Sequence, residues 1–277
     1  MDTQFDTTVT NKKVTLNSNV LSYCDNNLTD ALSIVFIHGF PFNMEMWNGQ
    51  IKEFRTEYRT IAYNVRGHGD SGLSDGQYNI ELFVDDLIAL LDYLKLDKVV
   101  LCSLSMGGYI ALRAIEKFPE RFNGLVLCNT QCQEDSTEIK IKRFATIKKL
   151  KAEGMFGFED DFIKSVFSEK SLIENKEAIK LIRSCIESNT VTGICGTLLA
   201  LAARTNTCHV LPKINIPVLV IGGEQDKIIS FSQLQLMHTN IINSEMQIIQ
   251  DTAHLTNIED SLTFNTILKS FLQKIIN

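Results

Sequence analysis

Short apolar runs alternate with longer amphipathic segments through the first half of the chain. Four runs predict buried strands, at residues 34–37, 59–64, 98–102 and 125–128. Apolar residues at helical spacing predict helices over residues 82–94 and 106–118, and Pro119 ends the second. This alternation predicts an α/β fold with a mostly parallel, doubly wound sheet. Residues 14–23 are expected to add one or two antiparallel edge strands.

The pattern changes after the fourth predicted strand. Residues 131–211 look almost wholly helical, strand-like runs return at residues 218–221 and 246–249, and residues 262–276 predict a closing helix. The sequence therefore predicts a sheet core formed by residues 1–130 and 212–277, interrupted by a helical cap at residues 131–211.

The predicted cap contains phenylalanines and a basic cluster. Most of the phenylalanines are expected to form the core of the cap, and a few to line an apolar ligand pocket. These phenylalanines are Phe144, Phe156, Phe158, Phe162 and Phe167. The basic residues between positions 140 and 151 are expected to form a solvated helix face, with recruitment of an anionic substrate as the alternative.

Composition excludes several classes of protein. Of 277 residues, 44% are hydrophobic and 22% charged, whereas a disordered chain would have fewer apolar residues and more charge. The 15 Gly and 4 Pro are too few for a collagen-like or linker-like chain. With 33 acidic and 27 basic residues, the net charge of −6 disfavours binding to nucleic acid. We expect a small-molecule substrate, no nucleic-acid or membrane partner, and a monomer or a homodimer.

The seven cysteines are scattered and form no CxxC pair, which disfavours a zinc ribbon or a thioredoxin-type site. We expect all seven to be free thiols. Residues 1–13 are polar and do not resemble a signal peptide, and no run approaches the ~18 apolar residues of a membrane span. Free thiols fit a reducing compartment, so the expected location is cytoplasmic.

The segment Ser103-Leu104-Ser105-Met106-Gly107-Gly108 joins a predicted strand to a predicted helix. A serine on such a sharp turn is held out at the carboxyl edge of the sheet, and the small residues let strand and helix approach closely. The helix start supplies free N–H groups and a positive dipole end. The start of the helix favours Ser105 as nucleophile. Ser103 is the alternative nucleophile, and a non-catalytic turn is the alternative interpretation.

A serine hydroxyl needs a base to take its proton and an acid to orient that base. His254 follows the strand predicted at residues 246–249, and Asp226 follows the strand predicted at residues 218–221. Both are therefore expected at the same sheet edge as Ser105, where open α/β sheets bind ligands. Glu224 and Asp251 are alternative acids. Asp226 is preferred because two glycines open the turn before it.

Two glycine-containing loops follow the first two buried strands. In His38-Gly39-Phe40-Pro41 the glycine allows a sharp turn, and the amides of Phe40 and Met106 are expected to form an oxyanion hole. His38 is expected to anchor this loop rather than act as a base. Residues 66–72 (RGHGDSG) lack the spacing and the lysine of a phosphate-binding loop, and they predict a rigid turn with Arg66 in ion pairs.

Three motifs together resemble the α/β-hydrolase fold family, in the branch of 3-oxoadipate enol-lactonases and small carboxylesterases. They are HGFP at residues 38–41 with Trp47 downstream, RGHGDSG at residues 66–72 and SLSMGGYIALR at residues 103–113. The chain order Ser, Asp, His is also that of the family. Ser103 and Ala253 depart from it, each standing where the family often has glycine.

The resemblance implies an α/β-hydrolase fold with an inserted helical cap. It also implies a serine hydrolase that cleaves a small carboxylic ester or lactone without a metal or organic cofactor. In that mechanism Ser105 forms the acyl-enzyme, His254 takes the serine proton and Asp226 orients the imidazole.

Other functions remain compatible with the same residues. A C–C bond hydrolase and a perhydrolase of the haloperoxidase type would use the same triad. A ligand-binding or signalling member of the fold would not need it, and a fold does not by itself fix function. The serine at the elbow disfavours haloalkane dehalogenation, because that chemistry needs a carboxylate nucleophile.

Overall fold

The computed structural model describes residues 11–276, and its centre is an eight-stranded sheet. The strand order is β1-β2-β4-β3-β5-β6-β7-β8; β1 pairs antiparallel with β2 and β2 with β4, and the other neighbours run parallel. The mostly parallel, doubly wound sheet predicted from the sequence is confirmed, as is the antiparallel edge. The strands are β1 Lys12–Leu16, β2 Asn19–Asp25, β3 Ser33–Ile37, β4 Arg59–Tyr63, β5 Val99–Leu104, β6 Phe122–Cys128, β7 Val218–Gly223 and β8 Ser244–Ile249.

Eleven α-helices accompany the sheet in the part of the chain that the structure describes. They are α1 Asn48–Phe54, α2 Ile80–Tyr93, α3 Met106–Lys117, α4 Thr137–Glu153, α5 Phe158–Val166, α6 Glu169–Glu174, α7 Lys176–Glu187, α8 Val191–Ala203, α9 Phe231–Asn240, α10 Thr256–Glu259 and α11 Ser261–Ile276. The sequence pattern had indicated neither α1 nor α9.

The buried strands separate two apolar layers. On β3, Val35 and Ile37 belong to the layer that includes residues of α2, α3 and α9, while Ile34 and Phe36 belong to the layer of α1 and α11. This alternation follows from the two-residue repeat of a strand. Because both faces are covered, the buried strands read as continuous apolar runs rather than alternating ones.

Along the chain, helices α4 to α8 all lie between β6 and β7. They occupy the stretch in which the sequence predicted a cap, and the division of the chain at residues 131 and 211 stays a prediction. Within the described residues no single helix is long and apolar enough to cross a membrane; α7 and α8 reach that length and composition only together, and are bent by 94° at their break. Residues 1–10, which hold most of the polar segment compared with a signal peptide, lie outside the described part.

The corner between α7 and α8 is hydrogen-bonded to two core loops. The Asn189 side chain donates to the carbonyl oxygen of Pro41 at 2.7 Å and accepts from the amide of Gly69 at 2.9 Å. At the start of α8, a Cβ on Gly193 would overlap the carbonyl oxygen of Gly67. The close packing of helix backbone on loop backbone therefore depends on this glycine.

Cys132 and Cys208 form a disulfide, so the expectation that all seven cysteines are free is wrong for this pair. They are 76 residues apart and meet because the two ends of the helical block return to the same place, where Thr207 donates its amide to the Cys132 carbonyl at 2.9 Å. Short-range cysteine spacing carries no signal for such a pair. The other five are buried thiols, and burial raises the pKa of Cys24 to about 11 and of Cys185 to about 12.

Candidate active site

Ser105 lies on the sharp turn between β5 and α3. Its backbone has φ +53° and ψ −112°, a region that costs a residue with a Cβ free energy. The turn fits because its neighbours are small: a Cβ on Gly107 would overlap the Ile37 carbonyl, and one on Gly108 would overlap the Thr130 side chain. The serine side chain is thereby held at the carboxyl end of β5.

Ser103 has a different environment from Ser105. It is fully buried within β5, and its hydroxyl donates to the carbonyl oxygen of Val126 on the neighbouring strand at 2.9 Å. This hydroxyl is therefore already hydrogen-bonded within the sheet. The arrangement favours Ser105 over Ser103 as the nucleophile.

His254 and Asp226 meet directly at the ends of β8 and β7. His254 Nδ1 lies 2.9 Å from Asp226 Oδ2, and both side chains are buried. An ionised carboxylate can only accept a hydrogen bond, so His254 Nδ1 carries the proton that it donates to Asp226. In the neutral ring, Nε2 is therefore unprotonated and can take a proton from another group. Burial alone would raise the pKa of Asp226, but the adjacent imidazole and the hydrogen bonds to the carboxylate outweigh it and lower the pKa.

The other oxygen of Asp226 is held by the backbone. Asp226 Oδ1 accepts from the amides of Ile228 at 2.8 Å and Ile229 at 3.1 Å. The alternative acids are engaged elsewhere: the Glu224 carboxylate accepts from the amide of Asp251 at 3.2 Å, and the Asp251 carboxylate pairs with Lys170 at 3.1 Å. Asp226 is thus the acid that reaches His254.

Asn129, at the end of β6, belongs to the same network and was missed in the sequence. Its side-chain nitrogen donates to Asp226 Oδ2 at 2.8 Å and to the Ala253 carbonyl at 3.1 Å. Its side-chain oxygen accepts from the Thr256 hydroxyl at 2.9 Å. The signal was present, because Asn129 directly follows a predicted strand, and Asp226 and His254 each lie five residues after the end of theirs.

Glu259 of α10 is a second missed residue, and it shapes the histidine loop. Its carboxylate accepts from the amides of Ala253 at 2.8 Å and Leu255 at 3.3 Å, on either side of His254, and from the amide of Ser168 at 2.8 Å. The loop that carries His254 is thereby tied to the start of α6, which Ser168 caps. A glutamate five residues after a histidine gives no sign of this in a sequence.

The two amides expected to form an oxyanion hole lie beside Ser105. Met106 is the first residue of α3, and Gly39, which precedes Phe40, would bring a Cβ within 3.3 Å of the Ser105 Cβ. Neither the Phe40 nor the Met106 amide donates a hydrogen bond to any described residue. Both are therefore available to an oxygen placed at the serine.

His38 anchors the loop before Phe40. Its Nδ1 is 2.9 Å from the Gly39 carbonyl oxygen, and its Nε2 accepts from the amide of Val65 at 2.9 Å. Complete burial, with a smaller contribution from His68, lowers the pKa of His38 to about 3. A ring that is neutral and bonded at both nitrogens fits the predicted anchoring role.

The sequence predicted Arg66 in ion pairs, and its partner in the structure is Asp86 of α2. The two guanidinium contacts measure 2.7 and 2.8 Å, and both side chains are almost fully buried. The bidentate geometry fixes the turn at residues 66–72 against α2.

Aromatic rings from α5 close over the site. The Phe40 ring packs edge-on against Phe162 at 5.9 Å and against Phe158 at 6.5 Å between centroids. Phe162 also meets Phe42 at 5.8 Å. Among the described residues, no group of three or more His, Cys, Asp or Glu side chains is arranged to hold a metal ion.

Comparisons with known proteins match this architecture. The family model described as serine aminopeptidase, S33, matches residues 30–261. A 3-oxoadipate enol-lactonase of Acinetobacter baylyi is 27% identical over 98% of this chain and 97% of its own. A thermophilic esterase from Thermogutta terrifontis is 30% identical with a TM-score of 0.91, covering 96% of this chain and 99% of its own. A non-heme chloroperoxidase of Kitasatospora aureofaciens is 28% identical over 87% of this chain and 92% of its own.

Proposed function

Since the chain belongs to the serine aminopeptidase S33 family of α/β-hydrolases and is a hydrolase of the esterase and enol-lactonase type, we propose that it cleaves a small carboxylic ester or lactone through an acyl-enzyme on Ser105. The observation that carries the proposal is the buried His254–Asp226 pair, at the same sheet edge as the strained turn of Ser105. Nucleophile, base and acid come from the ends of three parallel strands.

In the proposed reaction, Ser105 Oγ attacks the substrate carbonyl while His254 Nε2 takes the hydroxyl proton. The Phe40 and Met106 amides donate to the oxyanion of the tetrahedral intermediate, at the positive end of α3. His254 then returns the proton to the leaving alkoxide, and the acyl group stays on Ser105. A water molecule deprotonated by His254 then attacks the acyl-enzyme carbonyl. The bond to Ser105 Oγ breaks, His254 returns the proton to Oγ, and the acid is released.

Asp226 supports both steps through the imidazole. The carboxylate holds the Nδ1 proton, which fixes the ring orientation, and it stabilises the imidazolium that forms in each step. The lowered pKa of Asp226 favours the ionised carboxylate that accepts this proton.

The similarity to a chloroperoxidase favours perhydrolysis as a second candidate function. Hydrogen peroxide in place of water would attack the same acyl-enzyme and release a peracid. Assaying ester hydrolysis and peracid formation side by side on one enzyme preparation separates the two reactions.

Substitution of the two serines tests the proposal. Ser105→Ala should lower kcat for p-nitrophenyl acetate at least about a thousandfold, as expected when a triad nucleophile is removed. Ser103→Ala is the matched control, and it should keep most of the activity because its hydroxyl bonds to the sheet. An organophosphonate should add one label to the wild type and none to Ser105→Ala by intact mass. Activity retained in Ser105→Ala, or lost only in Ser103→Ala, would refute the assignment.

A further inference from the structure

The loop that carries His254 is hydrogen-bonded to the helical block between β6 and β7, which comprises α4 to α8. The His254 amide donates to the carbonyl oxygen of Val166, the last residue of α5, at 3.0 Å. Two residues farther on, the Ser168 amide donates to the Glu259 carboxylate at 2.8 Å. Val166, Phe167 and Ser168 are all buried, so this junction between α5 and α6 lies inside the molecule.

The Glu259 carboxylate joins this junction to the histidine loop. One oxygen accepts from the amides of Ala253 and Leu255, the two neighbours of His254, and the other accepts from the Ser168 amide. Among the described residues, no lysine or arginine pairs with this carboxylate. Hydrogen bonds to a carboxylate are stronger than those between neutral groups, so the clamp fixes the backbone on both sides of the base.

Helix α5 also contacts the other half of the proposed site. The Phe162 ring packs edge-on against Phe40, whose amide is the proposed oxyanion donor, at 5.9 Å between centroids. Phe162 precedes Val166 by four residues, which is about 6 Å along the helix axis. One short helix therefore contacts both the oxyanion loop and the histidine loop. A displacement of α5 would shift the base relative to Ser105.

We propose that Glu259 is a positioning residue of the proposed reaction, and that it aligns His254 with Ser105 only while the junction between α5 and α6 is docked on the histidine loop. The proposal rests on the proposed function, since it concerns the base of that reaction. Glu259 bonds to backbone amides rather than to the reacting side chains, so it acts through the backbone around His254. The helical block thereby takes part in aligning the base.

Substitution of Glu259 tests this role. Glu259→Ala removes all three hydrogen bonds, and Glu259→Gln removes the charge but keeps one oxygen that accepts. The matched control is Asp260→Asn, which removes the same charge at the next residue and keeps an acceptor for the Thr263 amide. The measured quantities are kcat and KM for p-nitrophenyl acetate, and the low-field proton resonance of the hydrogen bond between His254 and Asp226.

Glu259→Ala should lower kcat about ten- to a hundredfold with KM within about twofold of the wild type, because misplacing a catalytic group by about 1 Å costs rate of that order. Glu259→Gln should lose less, since its remaining oxygen keeps part of the clamp. The low-field resonance should shift or broaden in Glu259→Ala and stay in place in Asp260→Asn. A residue needed only for folding would lower the amount of folded enzyme and leave that resonance unmoved.

Ser168 tests the contact with the helical block. Its backbone has φ −67° and ψ 157°, and Phe167 before it is extended, so proline fits the conformation of both residues. Ser168→Pro deletes the amide hydrogen that Glu259 accepts. Ser168→Ala loses the same hydroxyl but keeps that amide, so comparing the two variants isolates the bond. We expect kcat about tenfold lower in Ser168→Pro than in Ser168→Ala, as for the loss of one hydrogen bond to a carboxylate.

Three results would count against these assignments. If Glu259→Ala has the kcat of Asp260→Asn and an unmoved resonance, the positioning role is refuted and the proposed function stands. Equal kcat values in Ser168→Pro and Ser168→Ala would refute the link to the helical block. If the wild type does not hydrolyse p-nitrophenyl acetate, the proposed function and this role fail together.

Discussion

Asn129 links three separate pieces of the proposed site through one amide group. It connects the acid turn at Asp226, the histidine loop at Ala253 and the start of α10 at Thr256. Its backbone has φ +46°, a conformation that asparagine tolerates better than most residues. Asn129 does not belong to the proposed triad, so we assign it as a positioning residue that acts through Asp226.

Substitution of Asn129 should alter the catalytic step more than substrate binding. Asn129→Ala removes a hydrogen bond to a carboxylate, which contributes about 1.5–3 kcal/mol, and should lower kcat about tenfold or more with little change in KM. Asn129→Asp should place a second carboxyl group beside Asp226. Because like charges raise the pKa of such a pair, the acidic limb of the kcat/KM profile should move to higher pH.

The pH profile distinguishes this role from a merely structural one. A residue needed only for folding would lower the amount of active enzyme without moving the profile. An unchanged acidic limb in Asn129→Asp, with normal thermal stability, would contradict the assignment.

The sequence predicted these residues to different extents, for physical reasons. Ser105, Asp226 and His254 each follow a recognisable strand, so parallel topology places them at one edge before any contact is known. Asn129 obeys the same rule, but asparagine is common in turns and draws no attention by its chemistry. Glu259 acts through three backbone amides, and no pattern of side chains reports such contacts.

Helix α8 packs against the core through apolar side chains and also through a close approach of its backbone. Its apolar composition gives no clear amphipathic stripe, because nine of its 13 residues are buried. Gly193 is the point of closest approach, beside the Gly67 carbonyl. Glycine is normally unfavourable inside a helix, so its presence there reflects packing.

Gly193→Ala should destabilise the protein although alanine is the better helix former. The propensity gain of about 1 kcal/mol is outweighed by the overlap of the new methyl group with a backbone carbonyl, so we expect a net loss of about 1–3 kcal/mol. Urea unfolding followed by circular dichroism measures the change. Thr192→Ala, at the exposed neighbouring position, should stay within about 0.5 kcal/mol of the wild type. A stabilised Gly193→Ala would show that α8 does not dock as described.

Helices α1 and α9 are too short to be recognised from the spacing of their apolar residues. They span seven and ten residues, and α9 buries only Leu234 and Met237, too few positions for a 3.6-residue period to stand out. Helices α2, α3 and α11 have longer apolar faces, and the sequence predicted all three. Tertiary packing, not local preference, decides the short elements.

For the whole molecule, the Cys132–Cys208 disulfide is the main departure from the sequence-based expectation. It joins the two ends of the helical block between β6 and β7. Cross-linking residues 76 apart in sequence restricts the unfolded chain, and bonds that close loops of this kind typically add about 2–4 kcal/mol.

Thiol counting tests this feature directly. Denatured, unreduced protein should titrate five thiols, and reduced protein should titrate seven. Reduction should lower the free energy of unfolding by about 2–4 kcal/mol, and Cys132→Ser/Cys208→Ser should make stability insensitive to reductant. Cys195→Ser, which removes a thiol outside the pair, should keep the response to reductant. Seven thiols in the unreduced protein would contradict the bond.

The same bond turns residues 132–208 into a covalent ring that contains all five helices of this block. A protease that cuts once within this ring leaves two polypeptides that remain one molecule until a reductant separates them. The helical block can therefore be nicked without shedding either half of the sheet. Its loops tolerate damage that would release a fragment from an open chain.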